Sequence, residues 1–388
     1  MANLSRRSFL IDASAAALAA AARPVLAATH RERVFIGSNT QNGVLAYDWD
    51  PAAGELAPAG VAAELPTIDW LCFSPDRKYI FAAAELDHFL GKPTGGVVSF
   101  ALEHGSLRTI SQVNSASKGT CHVAVDKTGR VLVSADYGGG SAASFQVSGD
   151  GKVSEAVWTE HYTAHGPNKD RQEAAHAHFA SFSPDNRFAY VNDLGGDCIH
   201  IYQMDSQTAK LAPAGQYSSQ PGAGPRTLHF HPNGHTAYSM NEINSTVDVL
   251  EWHRSDGSLT RVTTVALLPG DDHQTATGCD TIISKDGRFV YFIERGDEKP
   301  APAGSFDANF LYAFKADVKS GALTPIGRTP SGGATPRNAT LDPSERWMLV
   351  ANQNSDRICV FARNVETGEL ASQGKSFAAK VPMRILFA

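Results

Sequence analysis

Cys72-Phe73-Ser74-Pro75-Asp76-Arg77 is a short apolar run closed by a polar turn, and the chain repeats it. The pattern returns as Val125-Asp126-Lys127-Thr128-Gly129-Arg130, Phe182-Ser183-Pro184-Asp185-Asn186-Arg187 and Phe230-His231-Pro232-Asn233-Gly234-His235. It closes with Ile283-Ser284-Lys285-Asp286-Gly287-Arg288 and Leu341-Asp342-Pro343-Ser344-Glu345-Arg346, six copies in all. Each residue type in the turn has a reason to be there. Proline presets φ, aspartate bonds nearby backbone, and glycine or asparagine tolerates a positive φ. Anchored at residues 75, 127, 184, 232, 285 and 343, the copies recur roughly every fifty residues, a period that marks repeat architectures.

A second pattern alternates with the first: an alternating strand, a polar turn and Gly-x-Leu. It stands at Gly54-Glu55-Leu56, Gly105-Ser106-Leu107, Gly151-Lys152-Val153, Gly257-Ser258-Leu259, Gly321-Ala322-Leu323 and Gly368-Glu369-Leu370. A degenerate seventh copy ends at Leu211. Period-two alternation around short turns reads as hairpins. Two hairpins per repeat give four strands, the content of a propeller blade. The first repeat opens at Arg33-Val34-Phe35-Ile36 without its inner strand, and Pro382-Met383-Arg384-Ile385-Leu386-Phe387 resembles the missing one. The expected fold is therefore all-β: a seven-bladed β-propeller over residues 33–388, four strands per blade, its ring closed by N- and C-terminal strands sharing one blade. Closure leaves no free sheet edge at the seam.

Ser5-Arg6-Arg7-Ser8-Phe9-Leu10, an Ala-rich apolar run and Val25-Leu26-Ala27-Ala28 form a charged start, a short apolar segment and a small-residue cleavage site. The paired arginines resemble a twin-arginine export signal over residues 1–27, which predicts a periplasmic protein with no membrane segment after cleavage. A formal net charge of -6 argues against a nucleic-acid partner. The five cysteines, Cys72, Cys121, Cys198, Cys279 and Cys359, are odd in number and widely spaced, with no CxxC pair. Neither a zinc site nor a disulfide framework is expected from that spacing. A monomer without cofactor is expected.

The repeat also predicts a site. The anchor turn joins the innermost strand to the second, so positions well before and well after it share the opposite end of the blade. Six before each anchor stand Asp69, Cys121, His178, Arg226, Cys279 and Arg337; ten after stand Glu85, Tyr137, Leu194, Glu242, Arg295 and Gln353. Asp69, His178, Arg226, Glu242, Arg295 and Arg337 should converge from different blades at one mouth of the channel, with Glu85 beside them. His176 lies two residues before His178 and is a second ligand or a support. The segment His165–Gln172 is a candidate cap. Asn192 and Asp193 read as turn residues, and His88 and His273 as solvated. No Gly-x-Ser-x-Gly, HExxH or P-loop pattern occurs, and no acid-rich cage suggests calcium.

Several stretches resemble the seven-bladed lactonase family, whose members include 6-phosphogluconolactonases and a related carboxymuconate cyclase. They are Gly222-Ala223-Gly224-Pro225-Arg226, Asn241 through Val249, Arg171-Gln172 with His176-Ala177-His178, Val191 through Gly195, and Val350-Ala351-Asn352-Gln353. The resemblance runs from Arg33 to Ala388. It implies a catalytic set of His178, Arg226, Glu242 and Arg295, with Arg337, Asp69, Glu85 and His176 binding substrate and no metal. Departures bear on the substrate: Thr227 and Asn338 follow Arg226 and Arg337 where histidine is usual, and Asp280-Thr281-Ile282 and Glu294-Arg295-Gly296 replace Glu-Ile-His and Asn-Arg-Gly.

The activity so implied is hydrolysis of a sugar lactone, the small and anionic partner of the site, with His178 or Glu242 as base. Phosphorylated gluconolactone is expected in the cytoplasm, so export points toward a non-phosphorylated or other lactone. Two alternatives stand beside it: a muconate-type cycloisomerase, and a non-catalytic periplasmic propeller that binds a ligand.

Overall fold

The computed structural model describes residues 31–267, 276–296 and 309–388. The expectations for the export signal and for His273 fall outside these residues.

Seven four-stranded antiparallel sheets are present. The innermost strands of blades 2 to 7 are Ile68–Phe73, Thr120–Val125, Ala177–Phe182, Pro225–Phe230, Ala276–Ile283 and Pro336–Leu341. That of blade 1 is Pro382–Phe387, which pairs with Glu32–Ser38 through Val34↔Phe387, Ile36↔Ile385 and Gly37↔Arg384. Each innermost strand packs on the innermost strands of both neighbours, so the ring closes. Met383, Ile385 and Phe387 are buried at the seam, where Trp49 meets Phe387 and Trp347 edge-on at 6.1 Å.

The anchor turns owe their repetition to hydrogen bonding. Ser74, Ser183 and Ser284 accept the amide of the residue that opens the next strand, each at 3.0 Å, and donate to the aspartate two residues on. Asp126 and Asp342 accept the equivalent amides of Val131 and Trp347 at 2.9 Å. The turn's fourth residue is left-handed throughout: Arg77, Gly129, Asn186, Gly234, Gly287 and Glu345 all have φ between 56° and 78°, which explains why glycine or asparagine recurs there. Neighbouring turns are stitched together, Lys127 N to Asn186 Oδ1 at 2.9 Å and Lys285 N to Glu345 Oε1 at 2.8 Å.

Blade 3 departs from the repeat. Val153 of its Gly-x-Val copy makes only an isolated bridge with Val147, and the fourth strand is the four-residue Trp158–His161. The chain between them stays tied to the third strand, Ser154 N to Gln146 O and Val157 N to Ser144 O, each at 2.9 Å, and borders a groove of about 1110 Å³ beside blade 2.

Candidate active site

All seven innermost strands carry a bulge near their starts. The ladder skips Asp69, Cys121, His178, Arg226 and Arg337, the pair Cys279 and Asp280, and Met383 of the closing strand. A bulge frees one residue from the alternating pattern and re-aims its side chain. Here it turns these eight residues toward the channel, where they line a cavity of about 20 Å³, room for roughly one water molecule. The residue just before the inner strand is left-handed at Thr67, Gly119, Gly224, Thr335 and Val381. Its carbonyl accepts the amide of Glu85, Tyr137, Glu242, Gln353 and Asn39 respectively. This fastening holds the second ring of side chains beside the first.

Glu242 is the centre of the cluster. It is fully buried, and Arg226, Arg171 and Arg295 all bind its carboxylate: Arg226 Nη1 at Oε2, and Arg171 Nη2 and Arg295 Nη2 at Oε1, the last at 3.0 Å. Burial alone would raise its pKa. Arg226, Arg295 and Arg171 outweigh burial and hold it well below the usual carboxylate range. Arg226 is fixed further by Nε donating to the Cys279 carbonyl at 2.8 Å, and Arg295 by Nε donating to Thr277 Oγ1 at 3.2 Å. Arg295 Nη1 is buried with no partner among the described residues.

His178 is also buried. Burial first, and Arg226, Arg337 and Arg295 after it, keep its pKa well below the ordinary value against the opposing pull of Glu242. The ring is therefore neutral near pH 7, and its Nδ1 has no partner among the described residues. Tyr137 meets it edge-on at 5.6 Å and stacks on His176 at 4.5 Å.

The remaining sequence-predicted residues sort by contact. Arg337 pairs with Asp69 at 3.3 Å across the seam side of the channel, and Glu85, half-buried at the same mouth, raises the Arg337 pKa together with Asp69. His176 is set apart: it does not line the cavity, and its ring nitrogens face the Tyr137 carbonyl at 3.0 Å and Glu173 at 3.2 Å. It braces Tyr137 and has no free nitrogen for a substrate. Sequence reasoning missed Arg171 as a member of the cluster. It lies in the segment proposed as a cap, outside the repeat register, so no repeat position marked it. The departures noted above compensate one another: Asn338 Nδ2 donates to Asp280 Oδ2 at 2.6 Å, and Asn338 Oδ1 accepts Ile385 N at 2.9 Å.

The far larger groove beside blade 2 carries no comparable chemistry. Its charged residues, Asp76, Arg130, Lys152 and Glu155, are exposed, whereas Glu242 and His178 are buried.

The family described as lactonase, 7-bladed beta-propeller, matches residues 33–387. The chain belongs to this family. Among curated lactonase-family relatives, a 6-phosphogluconolactonase of Formosa agariphila is 30% identical over 346 residues, 87% of this chain and 94% of its own length. That of Bacillus subtilis is 27% identical, covering 91% and 97%. Among solved structures, a periplasmic gluconolactonase of Pseudomonas aeruginosa superposes with a TM-score of 0.84 at 29% identity, over 92% of this chain and 99% of that one.

Proposed function

We propose that this lactonase-family propeller opens the ring of an aldonolactone, with His178 as general base and the Glu242-bound arginines as the oxyanion stabiliser. Family membership and the 6-phosphogluconolactonase relatives support lactone hydrolysis over cyclisation. The assignment of the base rests on one observation: three guanidinium groups occupy the Glu242 carboxylate, while the His178 ring is neutral and lines a cavity the size of one water molecule. A carboxylate held strongly ionised by three cations is a weak proton acceptor. Neutral imidazole is the better one.

In this reading, water in the cavity gives a proton to His178 as its oxygen attacks the lactone carbonyl carbon. The tetrahedral oxyanion is met by Arg295 and Arg226. Collapse breaks the ring C–O bond, and imidazolium returns the proton to the leaving ring oxygen. Preorganised donors of this kind supply the largest share of the stabilisation in acyl transfer.

Charge balance bears on the substrate. Arg171, Arg226, Arg295, Arg337 and Arg384 face four carboxylates, Asp69, Glu85, Glu242 and Asp280. The excess is a single positive charge. It matches one oxyanion and falls short of a phosphate dianion, so the reading favours a neutral sugar lactone over the anionic one expected from sequence. The twin-arginine-type segment and the similarity to a periplasmic gluconolactonase support the same substrate. The test is kcat/KM for glucono-1,5-lactone with and without a 6-phosphate. A strong preference for the phosphorylated lactone would sink the substrate assignment, and absence of turnover on any lactone would sink hydrolysis. Export is tested by fractionation: Arg6→Lys with Arg7→Lys should leave the chain in the cytoplasm.

A further inference from the structure

Blade 4 holds a second cluster, on its middle strands Phe188–Asp193 and Cys198–Met204. Asp193 faces Cys198 across the ladder. His200 lies two residues further along, so its side chain leaves the same face as that of Cys198. Three donor atoms meet there. His200 Nε2 is 3.5 Å from Cys198 Sγ and 3.6 Å from Asp193 Oδ2, and all three lie within 4.8 Å of one another.

The shape of the cluster is informative. A Cys-His-Asp relay puts thiol and carboxylate on opposite ring nitrogens. Here one nitrogen faces both, the arrangement of three ligands around a common centre. Tetrahedral zinc, with bonds of about 2.0–2.3 Å, places neighbouring donor atoms roughly 3.3–3.6 Å apart, and the two separations from His200 fit.

A second observation points the same way. The Asp193 carboxylate is fully buried. Its Oδ1 is satisfied by the amides of His176 at 2.8 Å and Gly196 at 3.0 Å, which accounts for its reading as a turn residue. Its Oδ2 is buried without a hydrogen-bond partner among the described residues. A buried, unmatched carboxylate oxygen is destabilising unless a cation or donor meets it. The surroundings are tightly built: the His200 ring stacks on Tyr162 at 3.9 Å, and a Cβ on Gly196 would stand 2.5 Å from Asp193 Oδ2 and 2.8 Å from Ala164 Cβ.

We propose that Asp193, Cys198 and His200 bind one transition-metal ion of the zinc class, with water as the fourth ligand. On binding, Cys198 gives its proton to solvent and ligates as thiolate. None of the three lines the channel cavity, so the ion stands outside the lactone site. It fastens the two middle strands of blade 4 to each other, and through Asp193 Oδ1 to the backbone at His176, two residues before His178.

The test uses the mature protein, stripped with a chelator and titrated with CoCl2. One equivalent should bind and give the near-ultraviolet thiolate-to-cobalt charge-transfer band. The band should vanish in Cys198→Ser and survive in Cys72→Ser. With ZnCl2 at a hundredfold excess over Kd, the wild-type melting temperature should rise by about 3 °C. If Cys198→Ser does not fold, His200→Gln decides by the same band. No charge-transfer band in the wild type, or a band unchanged in a folded Cys198→Ser or His200→Gln variant, overturns the proposal. None of these readouts depends on lactone turnover.

Discussion

The two ends of the same innermost strands have been used for opposite purposes. At the anchor-turn end, serine or aspartate accepts a strand amide in five of the blades described above, and the next turn's side chains tie neighbouring blades together. At the bulged end the repeat sequence falls apart into Asp69, Cys121, His178, Arg226, Cys279, Arg337 and Met383. The backbone is as regular at one end as at the other, since all seven strands bulge. Where side chains serve the backbone, the repeat keeps them alike. Where the backbone is already fastened by left-handed residues, they are free to differ and so to form one asymmetric site.

The largest effect should come from breaking what both ends share. Removing residues 382–388 takes Met383, Ile385 and Phe387 out of the core. At about 1.5–3 kcal/mol for each buried side chain, the loss is roughly 5–9 kcal/mol, comparable to the whole stability of an ordinary protein of about 5–15 kcal/mol. The truncated chain should be unfolded by circular dichroism. A cooperative melt near the full-length value would show that the ring does not need its closing strand.

Next comes the chemical end alone. His178→Asn should lower kcat by about 10²- to 10⁴-fold, the usual scale for general-base catalysis, with a melt close to wild type. The pH profile sharpens this. Because the folded-state pKa of His178 lies below the ordinary value of 6.5, the base stays neutral as pH falls to 6.5, and the acid limb of kcat/KM should appear only below it. The unfolded chain takes up protons first below pH 6.5, so His178 also contributes stability that is present above that pH and lost as pH falls through the folded value. A rate that already drops between pH 8 and 7 would point to a different base.

Glu242→Gln separates charge compensation from catalysis. It leaves buried guanidinium groups without their counter-ion, a change on the order of 3–5 kcal/mol, and should lower the melting temperature by about 4–7 °C. An unchanged melt with a large loss in kcat would instead make Glu242 the base. The smallest effect is expected at the opposite end. Ser74→Ala removes the hydrogen bonds to Tyr79 N and Asp76, worth about 1 kcal/mol, and should shift the melt by about 1 °C while kcat stays the same.

The contrast also explains what was legible in the sequence. The anchor turn and the Gly-x-Leu hairpin are local chemistry repeated six and seven times, so blade number, strand content and the shared closing blade follow from them. Offsets from that anchor bring Asp69, His178, Arg226, Glu242, Arg295 and Arg337 to one mouth, because a repeat makes sequence offset a spatial coordinate. Arg171 has no such coordinate, since the segment between blades 3 and 4 belongs to neither repeat. The bulges were hidden for a different reason: they are a property of pairing, and residues as unlike as Met383 and Asp69 occupy them. Blade 3 misled because Gly151-Lys152-Val153 has the hairpin chemistry but not the strand after it. The grouping of Asp193, Cys198 and His200 is invisible without the register Asp193↔Cys198, and a search for CxxC spacing overlooks ligands drawn from facing strands.

The pairing of Val34 with Phe387 has a consequence for how the molecule is made. During synthesis the first blade emerges with its inner position vacant and must wait while six others are assembled around the axis. Chain-closure entropy makes such distant pairings slow to form, and N-terminal segments otherwise fold as they appear. Until Pro382–Phe387 arrives, every nascent intermediate is an arc with two unpaired flanks, exposed to wrong partners. Completion is therefore all-or-none in time as well as in structure: a ribosome that stalls in the seventh blade releases five finished sheets and no working channel.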